Sequence, residues 1–277
     1  MVHLLLFCVT IHFVFGKECN VLDYGAVGDG ITLDTKAIQN AINNCNSNTN
    51  EMDTIIFPST YNFLTYPFKI MYGNTKLLID SIITLPMDYK NWPLNEYNQY
   101  QSLITKNNYN MYNIIITGSG LINGNGYYWY PLFLNNTLNP DYIRPCLIGT
   151  CWERSGWHNT IISGLTLLNS PYYHIAVGGS NITIYDINIT VVDDNGNPGN
   201  YSVAPETDGI DIGGDNIHVY NCYVQNGDDS YTLESGSTNV IIENSTCAYG
   251  LGLGIPMACG QPSKTITQNS IYRNIIV

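Results

Sequence analysis

The sequence predicts an all-β protein built as a parallel β-helix, and two observations favour this fold. Charged residues make up only 12% of the 277 residues, while Asn, Thr, Ile, Tyr and Gly, which are typical of strands and turns, are abundant. A short motif of one polar residue and a β-branched run also recurs at a nearly constant interval. A regular period with one such strand per repeat is typical of a solenoid.

The repeated motif defines the interval. Where no insertion intervenes, its copies lie 22, 23 or 25 residues apart (159 to 181, 216 to 239 and 239 to 264). Short strands without intervening helices favour a β-helix over a leucine-rich repeat, whose leucine signature is absent. A β-sandwich is the alternative all-β fold, but a sandwich needs no constant period. The motif begins at Asn113, Asn159, Asn181, Asn216, Asn239 and Lys264.

Residues 34–44 form the only segment with a convincing helical pattern. Asp34 is the expected N-cap, and one face carries the apolar residues Ala37, Ile38, Ala41 and Ile42. Because the exposed end of a solenoid needs a cover, we expect an N-terminal capping helix.

Residues 1–16 are predicted to be a cleaved signal peptide, because an apolar run from Leu4 to Phe15 is too short to span a bilayer. Residues 17–277 are then one β-helix domain, and the protein is expected to be secreted, extracellular and glycosylated. Asn-x-Ser/Thr acceptors agree with this and lie at Asn135, Asn181, Asn188, Asn200 and Asn244.

Removal of residues 1–16 leaves seven cysteines, so at least one has no intramolecular partner. Cys19 with Cys45 would fasten the N-terminal cap, and Cys146 with Cys151 would close a short loop.

Four aspartates are concentrated in two short segments, 206–211 and 227–230, namely Asp208, Asp211, Asp228 and Asp229. No Lys or Arg lies between Arg154 and Lys264, so nothing nearby in sequence neutralises them. Repulsion and burial are expected to raise the pKa of at least one, which suits general acid catalysis beside ionised bases. Glycoside hydrolysis requires this division of roles. Two other interpretations stay open: ordinary Asp-Gly turns and a calcium site.

The segment Glu206-Thr-Asp-Gly-Ile-Asp211 resembles the N-T-D-G-x-D signature of the polygalacturonase family, glycoside hydrolase family 28. Gly227-Asp-Asp229 resembles the G-D-D signature of the same family. Further blocks match in the family's order and cover almost all of the predicted mature chain: residues 21–30, residues 118–126 with Trp129, Arg144-Pro145 and Asn169-Ser-Pro171.

This resemblance implies a right-handed, single-stranded β-helix and an inverting hydrolase of α-1,4-galacturonan, the backbone of pectin. Asp228 is implied to protonate the glycosidic oxygen, while Asp208 and Asp229 activate water and Asp211 supports them. Inversion predicts acid and base carboxyl groups about 6.5–9.5 Å apart. We expect no cofactor and no metal ion.

Three departures from the family pattern affect this expectation. Leu251 stands where the family has a histidine that assists the acid, and His174 and His218, the nearest histidines, are expected to be structural. Ser230 replaces a cysteine that would pair with Cys247. The family's R-I-K block, which binds uronate, would lie beyond residue 277, so the sequence is interpreted as C-terminally truncated.

A net charge of −12 argues against nucleic acid and anionic membranes as partners. The expected partner is pectin, bound by a monomer, and attraction of this anion must come from local basic residues. Two alternative functions remain: a pectin-binding protein that has lost catalysis, and a calcium-dependent lyase using a Lys or Arg base.

Overall fold

A computed structural model describes residues 16–46, 50–108, 110–151, 154–193, 195–254 and 267–277. The predicted signal peptide and the repeat motif at Lys264 fall largely outside these ranges, as does Cys259. Within them no helix is both long and apolar enough to cross a bilayer.

The described residues form short strands with two α-helices, α1 (Thr35–Asn44) and α2 (Gly126–Leu134), and one 3-10 helix at Val21–Tyr24. The strands are β1 (Glu18–Asn20), β2 (Asp29–Leu33), β3 (Asp53–Phe57), β4 (Asn62–Leu64), β5 (Phe68–Ile70), β6 (Thr75–Ile79), β7 (Ile82–Thr84), β8 (Ile104–Lys106), β9 (Met111–Thr117), β10 (Leu121–Asn123), β11 (Ile148–Gly149), β12 (Trp157–Ser163), β13 (Thr166–Leu168), β14 (Ile175–Tyr185), β15 (Asn188–Thr190), β16 (Ile210–Tyr220), β17 (Tyr223–Gln225), β18 (Asp229–Leu233), β19 (Thr238–Ala248), β20 (Gly252–Gly254) and β21 (Ile271–Ile276).

Parallel pairing arranges these strands in three sheets that run the length of the molecule, which confirms the predicted parallel β-helix. The first sheet contains β1, β3, β6, β9, β12, β14, β16, β19 and β21. The second contains β2, β4, β7, β10, β13, β15, β17 and the end of β19. The third contains β5, β8, β11, the beginnings of β14 and β16, β18 and β20.

The core consists of apolar side chains stacked from coil to coil. In the third sheet, for example, consecutive strands place fully buried residues at one level of the interior: Ile104, Ile148, Ile175, Ile210 and Tyr231. Residues on either side of this row point outward, because side chains alternate along a strand. The outer surface of the third sheet is therefore free to carry polar groups.

The nearly constant spacing of the repeat motif has a local cause, which is a ladder of asparagines. Each of these asparagines adopts a left-handed conformation, with φ between 49° and 60°, which Asn tolerates better than most residues. Each also donates a side-chain hydrogen bond to the asparagine one coil earlier, at 2.7–3.1 Å, in the order Asn216, Asn181, Asn159, Asn113 and Asn74. Asn239 instead donates to Asp215, at 2.9 Å.

Helix α1 covers the N-terminal end of the solenoid, as predicted. It buries Ile38, Ala41 and Ile42, and a disulfide joins Cys19 to Cys45 at its C-terminal end. Asp34 occupies the N-cap position but makes no capping hydrogen bond. Its carboxylate instead accepts hydrogen bonds from the backbone of Val27 and Gly28, so it fastens the preceding loop to the helix.

The expectation of a single helix is wrong, because α2 is also helical. Its sequence, Gly-Tyr-Tyr-Trp-Tyr-Pro-Leu-Phe-Leu, is rich in aromatics and contains Pro131, so its intrinsic helix propensity is low. Tertiary contacts stabilise it: Trp129 and Tyr130 are buried, and the Tyr130 hydroxyl donates to the Ser170 carbonyl at 2.8 Å.

The longest connections gather at one corner of the solenoid, between the second and third sheets. They are residues 85–103, residues 124–147 with α2, and residues 191–209. These connections flank the outer surface of the third sheet. The predicted disulfide between Cys146 and Cys151 is formed there, while Cys222 and Cys247 are buried free thiols.

Candidate active site

The floor of the candidate site is a row of outward-facing residues on the third sheet. Strand register places these residues at one level, in the order Lys69, Thr105, Gly149, Ala176, Asp211, Thr232 and Gly254. The residues between Lys69 and Asp211 have small side chains, and Thr105, Ala176 and Asp211 itself are buried. Asp211 is thus fixed by a regular strand, not by a loop.

The other three predicted aspartates lie at the corner where the second sheet turns into the third. The backbone N–H of Gly209 donates to the carbonyl of Asp229 at 2.9 Å, which places Asp208 and Asp229 on adjacent coils. The N–H of Leu251, one coil further, donates to the carbonyl of Asp228 at 2.7 Å. Equivalent turns of adjacent coils therefore bring the predicted carboxylates to one place on the surface.

A fifth carboxylate, that of Glu206, belongs to the same cluster. Carboxylate oxygens of Glu206, Asp208 and Asp228 lie within 4.8 Å of one another. The Glu206 N–H also donates to the Asp228 carboxylate at 3.1 Å. The sequence places Glu206 two residues before Asp208, but we did not predict it as a site residue, because the family signature has asparagine there.

Burial and repulsion between neighbouring carboxylates raise pKa values in the cluster, so that it retains protons above the ordinary pKa of a carboxyl group. Burial, reinforced by repulsion from Asp211, Asp228, Asp229 and Glu206, raises the pKa of Asp208 well above its ordinary value. Burial and the same two neighbours, Asp228 and Glu206, also raise the pKa of Asp229. One Asp208 oxygen is buried without a hydrogen-bond partner, as a carboxyl that is not fully ionised permits. Because the groups interact strongly, their protons belong to the cluster as a whole.

Arg154 forms an ion pair with Asp211, although no basic residue lies near the aspartates in sequence. Its Nη1 lies 3.2 Å from an Asp211 oxygen and also contacts Glu234, and its guanidinium lies over the Tyr173 ring. Burial raises the pKa of Asp211 to about 7, although Arg154 opposes this rise. Arg154 comes from a preceding coil and lies 57 residues before Asp211, so neighbours in sequence did not indicate it.

Buried amide and hydroxyl groups hold the turn that carries Asp228 and Asp229. The Asn226 side chain donates to the carbonyls of Thr207 and Asp229, at 3.0 and 2.7 Å, and accepts from the Ser230 hydroxyl. The N–H of Gly227 donates to the Thr207 hydroxyl at 2.9 Å. These bonds join two coils at the site and fix the aspartates relative to each other.

The two nearest histidines have structural partners. His174 is fully buried; its Nδ1 donates to the carbonyl of Asp208 at 2.9 Å, and its Nε2 accepts from the N–H of Ser170. Burial lowers the pKa of His174 to about 4, so it stays neutral. His218 pairs with Glu243 on the first sheet, at 2.8 Å. Leu251 is 64% exposed beside Asp228 and offers no group that can transfer a proton.

Aromatic and basic side chains form the wall of the site on its N-terminal side. Tyr172 and Tyr173 stack with ring centroids 4.1 Å apart, and the Tyr172 hydroxyl donates to Glu206 at 3.3 Å. The guanidinium of Arg144 lies 4.3 Å from the Phe133 ring and 5.2 Å from the Tyr172 ring. Tyrosine rings at such a wall can pack against sugar rings.

The arrangement suits general acid–base chemistry, since a proton-retaining carboxyl lies beside other carboxyl groups, of which Glu206 and Asp229 are half-buried. The same three oxygens of Glu206, Asp208 and Asp228 are also the described group best placed to hold a cation. One oxygen of Asp208 and one of Asp228 lie within 4.8 Å of each other. The expected separation of about 6.5–9.5 Å refers to the whole carboxyl groups of acid and base, so it stays a prediction.

Together, a three-sheet parallel β-helix and a carboxylate cluster on one outer sheet define a class of carbohydrate-active solenoid proteins. Comparison with known proteins gives the family. The model of glycosyl hydrolases family 28 matches residues 68–275, and a model named rhamnogalacturonase A/epimerase, pectate lyase-like, matches residues 19–78. The chain belongs to glycosyl hydrolase family 28.

Individual relatives agree with this assignment. The chain is 31% identical over 255 residues to a protein named "Probable polygalacturonase" from Vitis vinifera, covering 86% of this chain and 47% of the relative. It is 28% identical over 245 residues to exopolygalacturonase X of Aspergillus niger, covering 86% and 52%. The chain thus spans about half the length of the curated relatives it matches. A hyperthermoactive exopolygalacturonase from Thermotoga maritima shares the fold, with a TM-score of 0.72 at 20% identity over 94% of this chain and 66% of that one.

Proposed function

We propose that this protein is a secreted, polygalacturonase-like glycoside hydrolase that cleaves α-1,4-galacturonan in pectin. The carboxyl cluster carries the proposal, because it combines a retained proton with further carboxyl groups, of which Glu206 and Asp229 are only half-buried. Membership of family 28 and the names of the relatives support the substrate class. The Asn-x-Ser/Thr acceptors support secretion, and Asn135, at the exposed end of α2, is a suitable glycosylation site.

In this mechanism Asp228 delivers the proton to the glycosidic oxygen, and Asp208 and Asp229 activate the attacking water. The retained proton belongs to the cluster as a whole, and one oxygen of Asp228 lies within 4.8 Å of one oxygen of Asp208, so the cluster can deliver its proton through Asp228. Asp211 supports the site from the third sheet, with Arg154 balancing its charge. Tyr172 and Tyr173 supply an aromatic wall for a sugar ring.

The stereochemical outcome we propose is inversion, as the family resemblance implies. Inversion requires that a water is held between Asp208 and Asp229 and that no carboxylate attacks the sugar directly. The anomer formed first distinguishes inversion from retention.

The experiment is the release of reducing ends from polygalacturonate by the full chain. We expect activity in the parent and a loss of at least about 10²-fold in Asp228→Asn, since general acid catalysis contributes 10²–10⁴-fold. Asp141→Asn, which removes an exposed carboxylate from the connection after α2, is the matched control and should retain activity. Equal rates in both variants, or no activity in the parent, would reject the proposal.

One observation favours a second candidate, a pectin-binding protein without catalysis. Leu251 is exposed beside Asp228, where the family has its assisting histidine. Retention of the parent on immobilised pectin without any release of reducing ends would select this candidate. Leu251→His alone should then not restore turnover. The lyase alternative is the weakest, because Arg154 is held by two carboxylates and cannot act as a base.

A further inference from the structure

Three carboxyl groups of the candidate site have the spacing of ligands to a divalent cation. One oxygen from each of Glu206, Asp208 and Asp228 lies within 4.8 Å of the other two. Two oxygens on opposite sides of a calcium ion are about 4.6–5.2 Å apart, because each Ca–O distance is about 2.3–2.6 Å. The three oxygens are thus close to the spacing at which they contact one calcium ion together.

The hydrogen bonding of Asp208 points independently to a ligand at this place. Asp208 is 6% exposed, and its Oδ1 is buried and accepts no hydrogen bond from any described residue. Buried polar atoms nearly always have a partner, because an unpartnered oxygen of a carboxylate costs free energy. A cation held between the three side chains gives the ionised Asp208 a partner that the described part of the protein does not.

Ion pairs within the described part of the chain do not balance the charge of these three groups. None of the ion pairs found there includes Glu206, Asp208 or Asp228, and Arg154 contacts Asp211 instead. Carboxylates this close repel one another when they are ionised. A doubly charged cation offsets this repulsion, and carboxylate oxygens are the ligands that calcium prefers.

Hydrogen bonds hold two of the three ligands in place and still allow them to bind a cation. The Asp228 oxygens accept from the N–H of Asp229 at 2.9 Å and from the N–H of Glu206 at 3.1 Å. The Glu206 carboxylate accepts from the Tyr172 hydroxyl at 3.3 Å. Each carboxylate oxygen has a second lone pair for a cation. Glu206 is only half-buried, so an ion can reach the group from solvent.

We propose that Glu206, Asp208 and Asp228 form a divalent-cation site that takes calcium, with water completing the coordination. Magnesium fits less well, because it requires distances of about 2.0–2.1 Å and near-ideal octahedral geometry. Such a site differs from the expectation of a protein without metal ions. Glu206 is the ligand that distinguishes this chain, since the family signature has asparagine there.

A calcium ion at this site should inhibit hydrolysis, and this part of the inference rests on the proposed function. The ion would occupy oxygens of Asp228, through which the cluster delivers its proton, and of Asp208, which activates water. Calcium is then a regulator of the site and does not take part in the reaction.

The test measures calcium binding itself, by calorimetry of the full chain after treatment with EDTA. We expect one calcium ion per chain with a dissociation constant of about 10⁻⁴–10⁻³ M, as in extracellular calcium modules, and weaker binding of magnesium. Glu206→Gln, which keeps the size of the side chain and removes its charge, should weaken calcium binding at least about tenfold. Glu96→Gln removes an exposed carboxylate from another connection and should leave the affinity unchanged.

A second variant and a second measurement guard against misfolding. Circular dichroism shows whether each variant is folded, and Asp208→Asn takes the place of Glu206→Gln if the latter is not. Loss of either ligand should weaken calcium binding. Saturating calcium should also raise the Tm of the parent and of Glu96→Gln more than that of Glu206→Gln, because a ligand stabilises the state that binds it.

Three results would overturn the cation site: no calcium binding by the parent, equal affinity in the parent and Glu206→Gln, or equal weakening in Glu206→Gln and Glu96→Gln. Inhibition is measured as release of reducing ends from a short galacturonate oligomer, with magnesium at the same concentration as the control. Undiminished release at saturating calcium would overturn the inhibitory role. Calcium binding through Glu206 in a protein that releases no reducing ends would contradict the proposed hydrolase and support the site.

Discussion

Replacement of Arg154 by Met should destabilise the protein in a manner that depends on pH. Asp211 is 1% exposed, and its pKa of about 7 exceeds the ordinary value of 3.8. Between about pH 4 and pH 7 the unfolded state therefore holds fewer protons than the folded state, and the free energy of unfolding falls as pH rises. Over this range the free energy of unfolding of the parent protein falls by about 4 kcal/mol through Asp211. Without Arg154 the fall is larger.

Protonation of Asp211 limits how much stability the Arg154→Met variant loses relative to the parent protein. At pH 5 the carboxyl is already protonated in the folded parent, so removal of Arg154 costs only its exposed pair with Glu234, about 0.2–1 kcal/mol. At pH 8 the variant can protonate Asp211 instead of burying an unpaired charge. The variant therefore loses at most about 1 kcal/mol more at pH 8 than at pH 5, because pH 8 lies about one pH unit above the pKa of Asp211 in the parent.

Urea unfolding followed by circular dichroism at pH 5 and pH 8 measures these losses. The same Arg154→Met change made in an Asp211→Asn background is the control, and its effect should be equal at both pH values. Equal destabilisation of the single variant at pH 5 and pH 8 would refute the pairing of Arg154 with Asp211 as described.

Two further changes test the ladder and the site geometry. Asn181→Ala removes two ladder hydrogen bonds, of 2.9 and 2.7 Å, at a residue with φ of 56°, so urea unfolding should show a loss of about 1–3 kcal/mol. The exposed control Asn188→Ala should change stability by less than about 0.5 kcal/mol, and similar losses would argue against the ladder. Gly254→Ala would place a Cβ 2.5 Å from the Asp229 carboxylate. If Asp229 activates water, kcat should fall at least about tenfold with little change in Tm; unchanged kcat would argue against that role.

The solenoid could be predicted from the sequence because asparagine recurs once per coil at a position where its backbone conformation and its side-chain hydrogen bonds favour it. Asn113, Asn159, Asn181 and Asn216 occupy left-handed positions and bond to one another, so the interval between them is the length of a coil. Helix α2 was missed because its aromatic residues and proline have low helix propensity, and only burial of its side chains stabilises it.

The predicted aspartates do meet on one surface, but their electrostatic surroundings were predicted incompletely. Arg154 reaches Asp211 only through the stacking of coils, and separation in sequence gives no measure of that distance. Glu206 was within the quoted signature, and a carboxylate two residues from Asp208 was the signal for a fifth acidic group.

The most direct measurement is proton NMR of polygalacturonate during its first minutes of contact with the protein. Hydrolysis by water activated at Asp208 and Asp229 predicts that new reducing ends appear first as the β-anomer and equilibrate later. New ends that appear first as the α-anomer, or no new ends at all, would contradict the account.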